Sequence, residues 1–317
     1  MNGEPRGMRA AAPGGALRPA VPSEGAAALP APPRIEPAGI IANRALASGI
    51  RWIDLALPGD WGPPLPGQYV SLALDPPLRE TEPGCCGSGL ARRPFSVSGF
   101  ERAGAHARLA LLYAPVGRVT RRLAEARPGE SIDLLGPLGT AFPLAPEAAE
   151  PFLLVGGGRG IAPLLFAAAE LARAKRAFEI FHGTRTAAEA PPAERIPGPP
   201  VHRSTDDGSL GLRGSVLDLL AQAAPRTGTI LACGPHGMLA ALAAWAEERG
   251  LPCWVSIEEN FGCGLGTCGG CAVPAADPPG GYLWACRDGA VLPAQALDWG
   301  RWGAPAAPLE PGCGGEA

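Results

Sequence analysis

Cys263, Cys268, Cys271 and Cys286 stand in the spacing C-x4-C-x2-C-x14-C near the C-terminal end of the chain. Thiolates grouped as C-x4-C-x2-C, with a remote fourth partner, are a ligand set for a 2Fe–2S cluster. Three of them share residues 260–274 with five glycines. Backbone stripped of side chains lets N–H groups converge on anionic sulfur, and glycine supplies the positive φ angles that such a loop needs. Structural zinc is the alternative ligand, but zinc knuckles pair short C-x2-C units rather than a glycine-lined four-residue loop. One-electron chemistry is the expectation.

Three further stretches carry chemical potential. "GGGRGIAP", residues 156–163, follows a predicted buried strand at Phe152 to Val155 and opens a helix. The amides of Gly156, Gly157, Gly158 and Gly160 can therefore face a diphosphate at the positive end of the helix dipole. The loop departs from G-x-G-x-x-G, with Ile161 in the third glycine's place, and a plain tight turn is the competing reading. In "ARRPFSVSGF" (91–100), Arg93, Pro94, Phe95 and Ser96 lie on a predicted strand. A guanidinium can clamp a diphosphate and a serine can meet a flavin ring edge, though an exposed strand arginine is the simpler account. In "STDDGS" (204–209), Asp206 and Asp207 would hydrogen-bond a ribose 2′-hydroxyl and repel a 2′-phosphate, or else form an Asp-Gly turn. The four histidines show no metal spacing.

The elements that must position these residues follow from patterning. Short alternating runs such as "IRWIDLAL", with Ile53, Leu55 and Leu57 on one face and Asp54 opposite, predict an antiparallel β-barrel over 37–147. From 148 to 250 strand, glycine loop and apolar helix alternate, with strands at 178–183 and 229–235, which predicts an α/β nucleotide domain. The cysteine segment occupies 251–300, and 301–317 returns to Gly/Pro-rich low complexity. Residues 1–36 read as a disordered, proline-rich leader, with a transit peptide or a later true start at Met8 as alternatives. A chain of 317 residues suits about two domains. Its formal charge of −3 supplies no basic field for nucleic acid, and no run of eighteen apolar residues is present to span a membrane. Nine cysteines, an odd number with four in one array, argue against a secreted disulfide framework and for a reducing, cytoplasmic setting. Cys85 and Cys86, adjacent in the stretch 80–91, are read as incidental loop thiols.

In order along the chain, "PGQYV" (66–70), "RPFSV" (93–97), "LLYAPVGRVT" (111–120), "LLVGGGRGIAPL" (153–164), "ACGPHGML" (232–239), "SIEENFGCGLGTCGGC" (256–271) and "ACRDGAV" (285–291) resemble the ferredoxin-reductase superfamily. Within it they resemble the FAD and iron–sulfur electron-transfer subunits of class 1B dihydroorotate dehydrogenases. The resemblance covers about residues 38–295. It implies a β-barrel FAD domain, an α/β NAD domain and a small C-terminal 2Fe–2S segment. It places FAD on Arg93, Pro94, Phe95, Ser96, Leu112, Tyr113, Ala114, Val119 and Thr120, and NAD on the 156–160 loop with Cys233, Gly234 and Pro235 near the nicotinamide. It also implies an FMN-containing catalytic partner in a hetero-oligomer, by family a heterotetramer, and no catalytic acid or base on this chain. Reductase subunits for ferredoxin:NADP oxidoreductase, sulfite reductase or a hydrogenase share the architecture, and a non-enzymatic metal-binding scaffold is the rival of another class. Two departures stand out. Arg159 occupies a place where the family has a small or aliphatic residue, and Val119 replaces a glycine beside Thr120.

Overall fold

In the computed structural model, residues 31–47, 49–73 and 92–303 are described. Arg34–Ala47 (β1), Ile50–Pro58 (β2), Tyr69–Ala73 (β3), Arg93–Ala103 (β4) and His106–Tyr113 (β5) are followed by a short helix, Arg118–Glu125 (α1), and by Ser131–Leu138 (β6). These strands close into an antiparallel barrel in the order β1-β2-β5-β4-β3-β6. The alternation in β2 works as the sequence requires, since Ile53, Leu55 and Leu57 all enter the barrel core. Asp54, on the opposite face, is nonetheless buried. Its carboxylate is held by Arg44 at 2.7 Å and Arg108 at 2.9 Å, and it accepts a hydrogen bond from the Trp52 indole at 2.8 Å. A buried carboxylate persists only when paired in this way.

The barrel begins earlier than the sequence suggests. Arg34, Ile35 and Glu36, inside the expected leader, pair with Gly136, Leu135 and Leu134 of β6 and so close the barrel. Local sequence beside a proline cluster carries no strand period, and the pairing is supplied by a segment some hundred residues away. The stretch 80–91 with Cys85 and Cys86, most of the leader, and Cys313 in the tail lie outside the described residues.

The second layer is built from Phe152–Gly157 (β7), Ile161–Arg173 (α2), Phe178–Thr184 (β8), Val201–Thr205 (β9), Leu212–Arg213 (β10), Val216–Ala223 (α3), Thr229–Cys233 (β11), His236–Glu247 (α4) and Cys253–Ser256 (β12). The cysteine segment adds Ala272–Pro274 (β13), Tyr282–Trp284 (β14) and Val291–Pro293 (β15). The sheet order is β10-β9-β8-β7-β11-β12-β15, parallel up to β12 and closed by antiparallel β15, while β13 and β14 form a separate ribbon. The expected boundary at 250/251 therefore cuts through one sheet, because β12 and β15 both belong to it. Phe152, Leu153, Leu154 and Val155 are each 0% exposed, as a central parallel strand covered on both faces must be. Helix α2 is buried along most of its length. Phe166 enters the barrel core, while Ile161, Ala162, Leu164 and Leu165 pack on the sheet. This one helix joins the two layers. Among the described residues no helix is long and apolar enough to cross a membrane.

Strand order reverses at β7, with β8 on one side and β11 on the other. In open α/β sheets the crevice outside the carboxyl ends at such a point is where ligands bind. Here it is shaped by glycine. A Cβ on Gly160 would lie 2.1 Å from the Cys233 carbonyl oxygen, and one on Gly157 would lie 2.5 Å from Met238 Sδ. The loops after β7 and β11 are thus pressed together. Gly160→Ala is expected to cost about 1–3 kcal/mol in denaturant unfolding, the range for overpacking. Gly237→Ala, in α4 with nothing within 4 Å of the added carbon, should instead stabilise by about 0.5–1 kcal/mol.

Candidate functional site

Two adjoining cavities lie where the barrel, the sheet and the cysteine segment meet. The larger, about 850 Å³, opens at the carboxyl ends of β7, β8 and β11. Its walls include Gly157, Gly158, Arg159, Gly160, Asp206, Gly234 and Pro235. The smaller, about 240 Å³, runs between the barrel and the segment after β12, and is lined by Pro94, Phe95, Ser96, Leu112, Tyr113, Ala114 and Thr120. Ala114, Val116, Arg159 and Glu258 line both, so the cavities communicate. Most of the residues singled out in the sequence are brought to one of them. Arg93, Val119, Gly156 and Cys233 line neither. Gly156 is buried within β7, and Cys233 is 0% exposed beneath its turn, where burial raises the thiol far above its ordinary range.

Each cavity is entered by a helix N-terminus that suits an anion. Helix α2 starts at Gly160 with no acidic residue in its first turn. Helix α1 starts after Gly117, also without an acid, and carries Arg118, Arg121 and Arg122. Thr120 Oγ1 accepts from the Gly117 N–H at 2.9 Å and donates to the Gly117 carbonyl at 3.1 Å, fixing the first turn. The helix's other end is tied down by Asn43, whose amide donates to the carbonyls of Leu123 and Ala126 while its oxygen accepts from the Tyr113 hydroxyl at 2.8 Å. The glycine loop has its own support. His182 Nε2–H donates to the Gly158 carbonyl at 2.8 Å, which fixes the tautomer and leaves Nδ1 buried without a partner.

The two aspartates divide the alternatives between them. Asp207 is committed to the turn, accepting from the Ser209 N–H at 3.0 Å and its hydroxyl at 2.6 Å. Asp206 faces the large cleft, beside Arg185 and Glu189, which pair with each other at 2.6 Å.

The cysteine loop shows how bare backbone meets sulfur. Cys263 Sγ accepts from the N–H groups of Leu265 at 3.3 Å and Thr267 at 3.4 Å, Cys286 Sγ from Gly266 at 3.1 Å, and Cys268 Sγ from Gly270 at 3.5 Å. Gly264, Gly266 and Gly269 have φ of 71°, 78° and 70°. The Thr267 hydroxyl, followed by the N–H groups of Leu265, Cys268 and Thr267, lowers the Cys263 thiol to about 5. Burial, then the neighbouring Cys271 thiol, pushes Cys286 up to about 12. Among the described residues no three or more His, Cys, Asp and Glu side chains gather as they would round a single metal ion. Cys271 and Cys286 approach to 3.2 Å while Cys263 and Cys268 sit farther along the loop. Four thiols with N–H groups turned toward their sulfurs are a donor set that fits a 2Fe–2S cluster, which Cys263, Cys268, Cys271 and Cys286 would hold.

Residues 258–298 match the family model described as the iron–sulfur cluster binding domain of dihydroorotate dehydrogenase B. The chain is 30% identical over 262 residues to the "Dihydroorotate dehydrogenase B (NAD(+)), electron transfer subunit" of Caldanaerobacter subterraneus subsp. tengcongensis, covering 82% of this chain and 97% of that one. It belongs to that family of electron transfer subunits. The protein of the same name from Geobacillus thermodenitrificans is 34% identical over 229 residues, covering 72% of this chain and 84% of its own. Among solved structures, the NADH-dependent reduced ferredoxin-NADP oxidoreductase is similar with a TM-score of 0.67 and 26% identity, over 84% of this chain and 91% of that one. The chain is thus an oxidoreductase's electron transfer subunit of ferredoxin-reductase-like fold, and its family name implies a catalytic partner.

Sequence reasoning did not single out Tyr69, Val116, Ser256, Ile257, Glu258 or Phe261 as site residues, yet all line the small cavity. Tyr69 and Glu258 sit inside recognisable stretches, "PGQYV" and "SIEENFGC", so the signal was there without a role attached. Tyr69 is 3% exposed, and burial, with the Cys286, Cys271 and Cys263 thiols after it, raises its phenol above the ordinary value.

His182 supplies a pH dependence. Burial holds its pKa down to about 4, against an ordinary value of 6.5. Between those values the unfolded chain binds the proton and the native protein does not. The stabilisation is therefore complete above pH 6.5 and should fall by about 3 kcal/mol as the pH drops to 4. In urea unfolding across that range, His182→Gln, which keeps a donor without titrating, should flatten this part of the slope.

Proposed function

We propose that the chain passes electrons from a separate, FMN-containing dihydroorotate dehydrogenase catalytic subunit to NAD+, through a 2Fe–2S cluster and FAD, in a heterotetramer and in the reducing cytoplasm. The observation that carries this reading is that Ser256, Ile257, Glu258, Glu259 and Phe261, in the stretch leading into Cys263, line the same cavity as Pro94, Phe95 and Ser96. A flavin ring held in that cavity would lie beside the stretch leading into the cluster loop, and the cavity opens to the larger cleft through Ala114, Val116, Arg159 and Glu258.

When bound, the cluster passes single electrons, FAD exchanges one or two, and NAD accepts a hydride. The chain's residues position and shield. Phe95, Leu112 and Tyr113 give the smaller cavity an apolar lining, with Ser96 as a polar edge. Its volume suits a ring system rather than a whole dinucleotide, so the FAD diphosphate would sit at its rim, at the N-terminus of α1 where Thr120 lines the cavity. Arg93, the guanidinium expected at that diphosphate, lines neither cavity and donates to the Arg92 carbonyl at 3.3 Å. Gly157, Gly158 and Gly160 let the NAD diphosphate approach the start of α2, where Arg159 adds positive charge. Asp206 is placed for a ribose 2′-hydroxyl, and Arg185 is already engaged by Glu189, which disfavours a 2′-phosphate. Cys263, Cys268, Cys271 and Cys286 would hold the cluster.

The likeness to a ferredoxin-NADP oxidoreductase favours, as a second reading, the same electron path serving another partner. Reconstitution separates the two. Anaerobically purified protein should absorb as flavin and iron–sulfur and bleach with NADH. Mixed with the catalytic subunit, it should reduce NAD+ at the expense of dihydroorotate. Bleaching without dihydroorotate-dependent NAD+ reduction would favour the other partner, and a colourless protein would sink both readings. Cys263→Ser should retain flavin reduction by NADH and lose the cluster signal. Asp206→Ala should raise KM for NADH about tenfold, the scale of one lost polar contact, and lower that for NADPH by relieving charge repulsion.

A further inference from the structure

Tyr69 reaches from the flavin cavity to the cysteine loop. Its backbone pairs with Ser96 on one side and Leu138 on the other, so it stands directly across from the serine at the flavin edge, in the middle of a closed barrel. Its ring lines the small cavity and meets Phe261 at 5.0 Å between centroids. Its hydroxyl lies 3.1 Å from the Gly264 carbonyl and 3.3 Å from that of Cys286. A phenol has one proton to donate, and here two carbonyls share it. One of them follows Cys263 and the other belongs to a cluster cysteine itself, so a single side chain ties both arms of the ligand loop to the barrel. The surroundings leave it little freedom. A Cβ on Gly139 would lie 2.8 Å from the Tyr69 ring, and Gly264 holds its carbonyl in place with a φ of 71°.

We propose that Tyr69 is a positioning residue for electron exchange: its hydroxyl fixes the cluster loop at a set distance from the flavin cavity. This rests on the electron-transfer reading above. The hydroxyl touches carbonyls of the loop and acts through them. Losing it should change how the cluster is held and reached, while the cavity that receives NADH's hydride keeps its shape, since phenylalanine fills the same volume.

The test is Tyr69→Phe in the full chain, purified anaerobically beside wild type. Three quantities are read: flavin and iron content, iron release to a chelator, and stopped-flow reduction by NADH, with flavin followed by absorbance and the cluster by freeze-quench electron paramagnetic resonance. The rate of flavin reduction by NADH, followed in the same mixture, is the internal reference for the cluster step. Electron arrival at the cluster should slow about tenfold and iron release should quicken by a similar factor, as expected when hydrogen bonds from one buried donor are removed. Isolation with flavin but without iron would support the inference equally. A variant that delivers electrons to the cluster and releases iron at wild-type rates overturns it. So does one that loses flavin and iron together, because the hydroxyl contacts reach the cluster loop alone. Wild-type protein lacking flavin or iron would instead overturn the electron-transfer reading on which it rests.

Discussion

The fastening of the cysteine segment to the barrel is the constraint on which the rest of the site depends. Thr140, just after β6, donates its N–H to the Gly289 carbonyl at 2.6 Å. Its hydroxyl donates to the Val291 carbonyl at 2.6 Å and accepts from the Val291 N–H at 3.1 Å. Tyr69 adds the contacts to Gly264 and Cys286. On the opposite side β15 pairs with β12, so the same short segment is an edge strand of the nucleotide sheet. A ligand loop rich in glycine has high conformational entropy and little side-chain packing of its own. Order has to be imposed on it from two sides, by the barrel and by the sheet, whose two cavities it adjoins.

That arrangement is a device for placement. Electron and hydride transfer need placement and exclusion of water more than proton traffic. The buried lining of the small cavity, the helix N-termini without acids, and the glycines that bring the β7 and β11 loops together all serve placement. Helix α2 has a special part, because it is buried against both layers and its N-cap, Gly160, lines the larger cavity. A shift of that helix would move barrel, sheet and diphosphate site at once.

Charged side chains divide between scaffold and site. Asp54 with Arg44 and Arg108 is buried on the barrel wall, where two guanidinium groups and an indole satisfy it. Arg159 and Glu258, of opposite sign and both exposed, instead stand at the junction of the two cavities. The distinction is one of solvation. A paired, buried charge is fixed structure, whereas exposed charges at a cleft mouth stay available to a ligand.

The sequence by itself determined the elements and much of the chemistry. The two-residue period of β2, the apolar run of β7, the glycine loop and the cysteine spacing are local signals, and local signals survive without a fold. The family resemblance added cofactors and their order along the chain. Only the tertiary structure decided what depends on distant pairing. It drew Arg34–Glu36 into the barrel through β6, and joined β12 and β15 to the sheet of β7 to β11 across the expected domain boundary. It also parted Asp206 from Asp207, sending one to the cleft and the other to a turn. Cys233 is buried at the end of β11 between β7 and β12, and Tyr69 became a link between two sites only because β3 and the cysteine loop, nearly two hundred residues apart in sequence, meet in space. Spacing along a chain reports which groups can share a loop. Which groups share a cavity is settled by the packing of elements against one another, and that is written in no single stretch of residues.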